Sequence, residues 1–388
     1  MNLRRLDAYF RRLVEEGLLP GAVVLVARGG EVVFQGVYGY LDPGRGLPMR
    51  EDALFRLCSM TKPWVSALAL SFVEEGTLSL LDPVEKYLPE FSGLRVGREV
   101  GEGIVYEPLK RPLTVYDLLR HTAGLTYGVF FRSPVKGLYL EAGVDRFDLS
   151  REVFLERLAA LPLRFQPGET FEYGLATDLL GHLLEALAGR SLAELLEERL
   201  VRPLGMKDSG FQAKDPARLA QPFPKDPETG HSLRLLPVET PPPRYAGGMG
   251  GVGTAADYLA FLEALRLGRG ALSPTMAGFM VQDHLGSLYP EALKRGPEYL
   301  PGPGYSFGLG VAVRVEPMGY SPGALGEWTW AGFGGTFFFV DPLQEITALY
   351  LAQAPNLLSV LEPEKALHSR LGARLQHAFR TLVYLGLE

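Results

Sequence analysis

Leu3, Leu6, Tyr9, Phe10, Leu13 and Val14 recur at helical spacing, with Arg and Glu between them. That stripe predicts an amphipathic surface helix rather than a signal peptide, whose apolar run would not follow Glu15 and Glu16. The pattern then changes. Residues 22–27 (AVVLVA) and 31–37 (EVVFQGV) read as strands, and Arg28-Gly29-Gly30 between them predicts a hairpin. An apolar helical run follows Leu57 and stops at Gly76, a suitable residue for leaving a helix. From about 80 to 204 the chain reads as helical and loop-rich. Helices are predicted over 113–120, 151–161, 177–187 and 191–200, the last opened by the capping box Ser191/Glu194. The HTAGLTYG segment after the first of these reads as a turn.

Residues 211–245 are rich in Pro and Gly and carry no period, which predicts a long connecting loop. Residues 247–254 (GGMGGVGT) read as a turn into a helix capped near Thr254 and ending near Leu267. Strand character returns over 307–315, 328–330, 336–340 and 346–351, and a final helix is expected over 363–385. Strands at both ends with helices between predict an α+β chain. One antiparallel sheet would be shared by residues 1–80 and 211–388, and residues 81–210 would form a helical domain beside it.

Composition narrows the class. A net charge of −6 gives no basis for nucleic-acid binding. Cys58 is the only cysteine, so no internal disulfide can form and a disulfide-stapled exported fold is ruled out. No apolar run approaches the ~18 residues of a membrane span. A cytoplasmic protein is expected. Asparagine occurs only at positions 2 and 356 while proline occurs 30 times, which hints at a thermophilic source.

The chemistry concentrates at Ser59 and Lys62, an S-x-x-K pair at the head of the apolar helix. Residues three apart share a helix face, so the ammonium would stand beside the hydroxyl. Pro63 lacks a backbone donor, which only a first helical turn can spare. The unpaired N–H groups there also favour a nearby oxyanion. An N-capping serine with a solvated lysine is the plainer alternative. Ser133 and Lys136 match the same spacing, but Pro134 and Gly137 read as a loop with no long helix behind them. Cys58 reads as a small buried apolar residue rather than a thiol nucleophile.

Tyr173 precedes a helical run in FEYGLATDLLG. A phenol titrates near 10 and works as a base only with a cation beside it, a role open to Lys62. A neutral Lys62 taking the serine proton itself is the other option. Trp330-Ala331-Gly332-Phe333 follows a short strand, whose edge could present a backbone N–H to an oxyanion. Gly319-Tyr320-Ser321-Pro322-Gly323 fits the G-x-S-x-G pattern but lacks the helix that pattern needs. The Gly-rich segment 247–254 lacks any phosphate-loop context and reads as backbone room near a site or a turn. His121, His182, His231, His284, His368 and His377 are not at metal-ligand spacing. No metal and no cofactor is expected.

Taken together, SMTK, a tyrosine before a helix and a strand ending in Gly332 resemble the serine β-lactamase and penicillin-binding-protein superfamily. The similarity lies with its class C β-lactamase-like branch and extends over about residues 19–353, including LLRHTAGL and GGMGGVGTAADYLAFLEAL. It implies an α/β domain from both chain ends, a helical insert and a site between them. It also implies Ser59 as nucleophile, Lys62 as its partner, Tyr173 as base, and the backbone N–H groups of Ser59 and Phe333 as the oxyanion hole.

Two departures bear on the substrate. The family's Tyr-x-Asn is Tyr173-Gly174-Leu175 here, and Leu175 cannot make amide hydrogen bonds. The family's Lys-Thr-Gly or His-x-Gly is Trp330-Ala331-Gly332 here, and tryptophan has one donor and no charge. A substrate carboxylate would lose a bond worth roughly 1.5–3 kcal/mol. Trp330, Ala331, Gly332 and Leu175 are expected to wall the substrate pocket, with Trp330 favouring short acyl or aromatic esters. Both departures resemble the family VIII carboxylesterase branch. The expectation is a serine esterase acting on a small-molecule ester, with no nucleic-acid or membrane partner. A β-lactamase or D-alanyl-D-alanine carboxypeptidase is the alternative, and a non-catalytic binding protein on the same scaffold is the second.

Overall fold

The apolar stripe of the first segment is buried as Leu6, Phe10 and Leu13 on helix α1 (Arg4–Glu15). The computed structural model describes residues 2–130, 132–288, 301–362, 365 and 369–388. Strands β1 (Gly21–Arg28) and β2 (Glu31–Asp42) form the expected hairpin, and β3 (Leu47–Pro48) adds to its edge. Strand β4 (Phe55–Arg56), a 3-10 turn (Cys58–Met60) and helix α2 (Thr61–Glu74) follow.

The middle of the chain holds a hairpin that the hydrophobic pattern did not predict, β5 (Arg95–Val100) with β6 (Gly103–Pro108). Arg98 and Glu107 pair across it at 2.8 Å. Its exposed positions mix Arg95 and Arg98 with Val100, Val105 and Tyr106, so apolar residues do not alternate with burial and no period marks it. Helices α3 (Val115–Leu119), α4 (Pro134–Ala142), α5 (Arg151–Ala159), α6 (Ala176–Ala188) and α7 (Leu192–Leu196) come next. Helix α4 corrects a second expectation. Ser133 is not a loop residue but the N-cap of α4, its hydroxyl accepting from Lys136 N, and Pro134 opens the first turn. The 211–245 segment is irregular, as expected apart from a 3-10 turn at Pro216–Arg218.

Strand β7 (Val252–Gly253) pairs with β4, and α8 (Ala255–Leu267) starts at the Thr254 cap as predicted, with α9 (Pro274–Met280) after it. The 307–315 run is two strands, β8 (Tyr305–Phe307) and β9 (Ala312–Arg314), because Gly310 turns at φ +91° between them. Strands β10 (Trp328–Gly332), β11 (Thr336–Asp341) and β12 (Ile346–Ala352) lie where strand character predicted them. The last helix is Ala373–Leu387, ten residues later than expected at its start; Pro363 and His368 lie outside the described residues.

Among the described residues the main sheet runs β3-β2-β1-β12-β11-β10-β9-β8, antiparallel throughout. The chain ends meet where Val23 pairs with Leu351 and Val24 with Tyr350. Val23 and Leu25 face the core that holds α2 and α8, whereas Val24 and Val26 face α1 and the C-terminal helix. Burial on both faces explains why β1 reads as an unbroken apolar run. The fold is α+β, an antiparallel sheet flanked by helices.

Candidate active site

Helix α2 is buried from Thr61 to Phe72, which is why its sequence is apolar all round. Ser59 is half-buried in the 3-10 turn at its head, with Pro63 in the first α-helical turn. Cys58 immediately before it has φ +48°, a left-handed conformation costly for a residue with a side chain. Hydrogen bonds hold this turn in place. Thr61 Oγ1 donates to the Cys58 carbonyl at 2.6 Å and accepts from Gly251 N at 2.8 Å. The Tyr258 hydroxyl donates to Met60 O at 2.8 Å.

Lys62 is fully buried, and its ammonium donates to three oxygens. These are Ser59 Oγ at 3.2 Å, Tyr127 Oη at 3.1 Å and the Gly248 carbonyl at 2.8 Å. The first contact is the one that the S-x-x-K spacing predicts. Tyr127 was not singled out by the sequence, where HTAGLTYG reads as a turn. Gly248 belongs to the Gly-rich segment read as backbone room near a site or a turn. Burial pushes the Tyr127 phenol well above its ordinary range, and Tyr173, Asp178 and Asp145 add to the effect. Tyr127 therefore stays protonated at neutral pH.

Tyr173 approaches the same ammonium with its ring, whose centroid lies 4.6 Å from Lys62 Nζ. Aromatic neighbours fix that ring: His121 at 4.8 Å, Trp330 at 5.3 Å and Tyr127 at 5.6 Å between centroids. His121 is buried, has φ +56°, and its carbonyl accepts from Glu172 N at 2.8 Å, next to Tyr173. Burial, then the Lys62 charge, hold its imidazole well below the ordinary histidine range, so it packs as a neutral ring.

The end of β10 closes on the serine turn. Thr336 Oγ1 donates to Leu57 O at 3.1 Å. A methyl on Gly332 would stand 2.2 Å from that same carbonyl and 2.3 Å from Thr336 Oγ1, so only glycine fits. The turn continues through Phe333 to Gly334, which meets the Cys58 sulfur. Burial pushes the Cys58 thiol up, away from thiolate chemistry. Ser59, Tyr127, Tyr173 and Trp330 together open on one cavity of about 780 Å³, and Ala331, Gly332 and Phe333 line it too. Trp330 is buried there, and its Nε1–H has no acceptor among the described residues.

Leu175 departs from expectation. It is fully buried in the hydrophobic core at the start of α6 and is not part of the cavity wall. The residue two after Tyr173 thus supports the helix end and offers no surface to a ligand. Ser321 lies on the loop between β9 and β10, where its carbonyl accepts from Arg314, and no helix follows it. Among the described residues no His, Cys, Asp and Glu cluster suits a metal, and no helix is long and apolar enough to cross a membrane.

Known proteins share this arrangement of elements. The Beta-lactamase family model matches residues 6–368. Esterase EstB of Burkholderia gladioli is 36% identical over 368 residues, covering 89% of each chain. Lovastatin esterase of Penicillium rubens is 29% identical over 375 residues, covering 90% of this chain and 92% of the relative. Among solved structures, EstCE1, a hydrolase with promiscuous acyltransferase activity, superposes at TM-score 0.81 with 30% identity over 98% of each chain.

Proposed function

The chain belongs to the Beta-lactamase family, and from that premise we propose that it is a serine carboxylesterase acting on small-molecule esters through an acyl-serine intermediate. The observation that carries this reading is the 3.2 Å contact between Lys62 Nζ and Ser59 Oγ, at a helix head that opens on an apolar cavity. The names of EstB and EstCE1 support the reaction class.

Ser59 attacks the ester carbonyl as its proton passes to the Lys62/Tyr173 pair. Tyr173 takes the base role, since Tyr127 is held as a neutral phenol. The backbone N–H groups of Ser59 and Phe333 hold the oxyanion that forms. The alcohol leaves with the proton, and water activated by Tyr173 then releases the acid. No cofactor or metal enters these steps. Trp330, Ala331 and Gly332 wall the acyl and alcohol pocket. A cavity of about 780 Å³ leaves room for aromatic esters as well as short acyl groups.

Hydrolysis of esters is favoured over β-lactam turnover or D-alanyl-D-alanine cleavage. Trp330 replaces a cation where a substrate carboxylate would bind, and the residue two after Tyr173 is leucine. Two domains, residues 1–80 with 211–388 and residues 81–210, are part of this reading. So is a cytoplasmic setting, supported by the lone cysteine, and a thermophilic source, supported by the scarcity of asparagine.

The test compares p-nitrophenyl butyrate and nitrocefin turnover by the wild type, Ser59→Ala and Tyr173→Phe. Ser59→Ala should abolish ester hydrolysis, and Tyr173→Phe should reduce it by orders of magnitude. Nitrocefin turnover equal to ester turnover would favour the β-lactamase reading. Unchanged hydrolysis by Ser59→Ala would end the proposal.

A further inference from the structure

Five residues beyond Tyr173, Asp178 is fully buried on α6. Its Oδ1 accepts from Arg244 Nη1 at 3.2 Å, and both side chains are shielded from solvent. Its Oδ2 is buried with no hydrogen-bond donor among the described residues. An unmet buried carboxylate oxygen is costly unless a nearby positive charge offsets it.

The unmet oxygen faces Lys62 across Gly248. A methyl on Gly248 would stand 2.2 Å from Asp178 Oδ2 and 3.5 Å from Lys62 Nζ. Laid end to end, those two legs put the carboxylate and the ammonium at most 5.7 Å apart. Glycine is required there, since any side chain would push the carboxylate away. The same Gly248 gives its carbonyl to Lys62 at 2.8 Å. Arg244 is locked on the far side, its guanidinium 4.0 Å from the centroid of the Phe154 ring and its Nη2 donating to Arg146 O at 3.5 Å.

We infer that Asp178, held by Arg244, is a positioning residue for the reaction: its charge balances the Lys62 ammonium across Gly248, so that Tyr173 rather than Lys62 receives the serine proton. This rests on the esterase reading above. The charged and titratable groups around Asp178 are Lys62 on α2, Tyr127, Tyr173, Asp145 and Arg244, with His182 one turn further along α6 and His121 against Tyr173 and Thr177. The field reaches the cluster, because Asp178 is among the groups that hold the Tyr127 phenol up after burial itself.

The experiment is the pH dependence of kcat/KM for p-nitrophenyl butyrate in the wild type, Asp178→Asn and Arg244→Gln, with melting curves at each pH. Removing the negative charge eases deprotonation of the base, so Asp178→Asn should move the acidic limb down by about one pH unit. Removing the compensating positive charge should move the limb up in Arg244→Gln. Opposite movements support the inference. Limbs that coincide with the wild type in both variants, with activity merely lowered, would overturn it and leave Asp178 a packing residue. If one variant does not fold, the direction in the other decides. A failure of the esterase reading appears separately, as wild-type turnover that survives Ser59→Ala.

Discussion

Tyr127 Oη stands 3.1 Å from Lys62 Nζ, so one phenol is bonded to the ammonium that also holds the Ser59 hydroxyl. Removing that hydroxyl leaves Lys62 with one acceptor fewer in a buried site. A hydrogen bond to a charged group is worth about 1.5–3 kcal/mol. Tyr127→Phe should therefore lower kcat/KM by roughly ten- to a hundredfold. Its melting temperature should fall by a few degrees as well, because the folded state loses the same buried bond. Steady-state kinetics beside a melting curve checks both.

Gly332 meets the Leu57 carbonyl, two residues before Ser59. Gly332→Ala would press a methyl into backbone from 2.2 Å, and backbone cannot rotate aside. Overpacking of this kind costs about 1–3 kcal/mol. The displaced atoms belong to the serine turn and to the strand end that would bind the oxyanion. Activity should fall by more than tenfold together with a lower melting temperature, and substrate affinity should change less than kcat.

Ser59 and Lys62 were legible because their contact is local, fixed by helical spacing and marked by Pro63. The other groups around Lys62 were not. Tyr127 and the Gly248 carbonyl lie 65 and 186 residues away in sequence, and only tertiary packing brings them in. A carbonyl ligand also leaves no trace in residue type. Leu175 was misread for the opposite reason. Its identity was plain, but whether a residue at a helix start points to a cavity or to the core depends on how α6 docks. The shared sheet was readable because β1 and β12 are apolar on both faces. The β5–β6 hairpin was not, because its exposed positions mix charged residues with Val100, Val105 and Tyr106, which hides the period.

Asp145 lines the same cavity, and burial, with Asp178 adding to it, raises its carboxyl from 3.8 to about 7, against the opposing backbone bond from Gly128. The folded pKa lies above the unfolded one, so the folded state binds the proton more tightly. Its contribution to stability is fully present below about pH 4 and is lost as pH rises through about 7. Asp145→Asn removes that loss. The difference in melting temperature between variant and wild type should be near zero at pH 4 and should grow in favour of the variant up to pH 8. In a chain of 388 residues each kcal/mol relieved corresponds to roughly 1–2 °C.

Glu327 and Arg380 form a buried ion pair at 3.0 Å between the sheet and the C-terminal helix, both wholly shielded from solvent. The Tyr305 and Tyr384 hydroxyls also donate to Glu327, at 2.5 and 3.1 Å. Glu327→Gln would leave the Arg380 charge uncompensated. Breaking a buried pair from one side costs about 3–5 kcal/mol. Urea unfolding should show that loss, while the folded fraction should keep its kcat, since Glu327 lies outside the Ser59 cavity.

The central claim is that Ser59 carries the acyl group. Brief exposure to p-nitrophenyl butyrate, acid quenching and peptide mapping by mass spectrometry test it directly. A butyryl group on the peptide that contains Ser59, absent from Ser59→Ala, is the expected result. Continued turnover with no such adduct, or with the adduct on another residue, would contradict it.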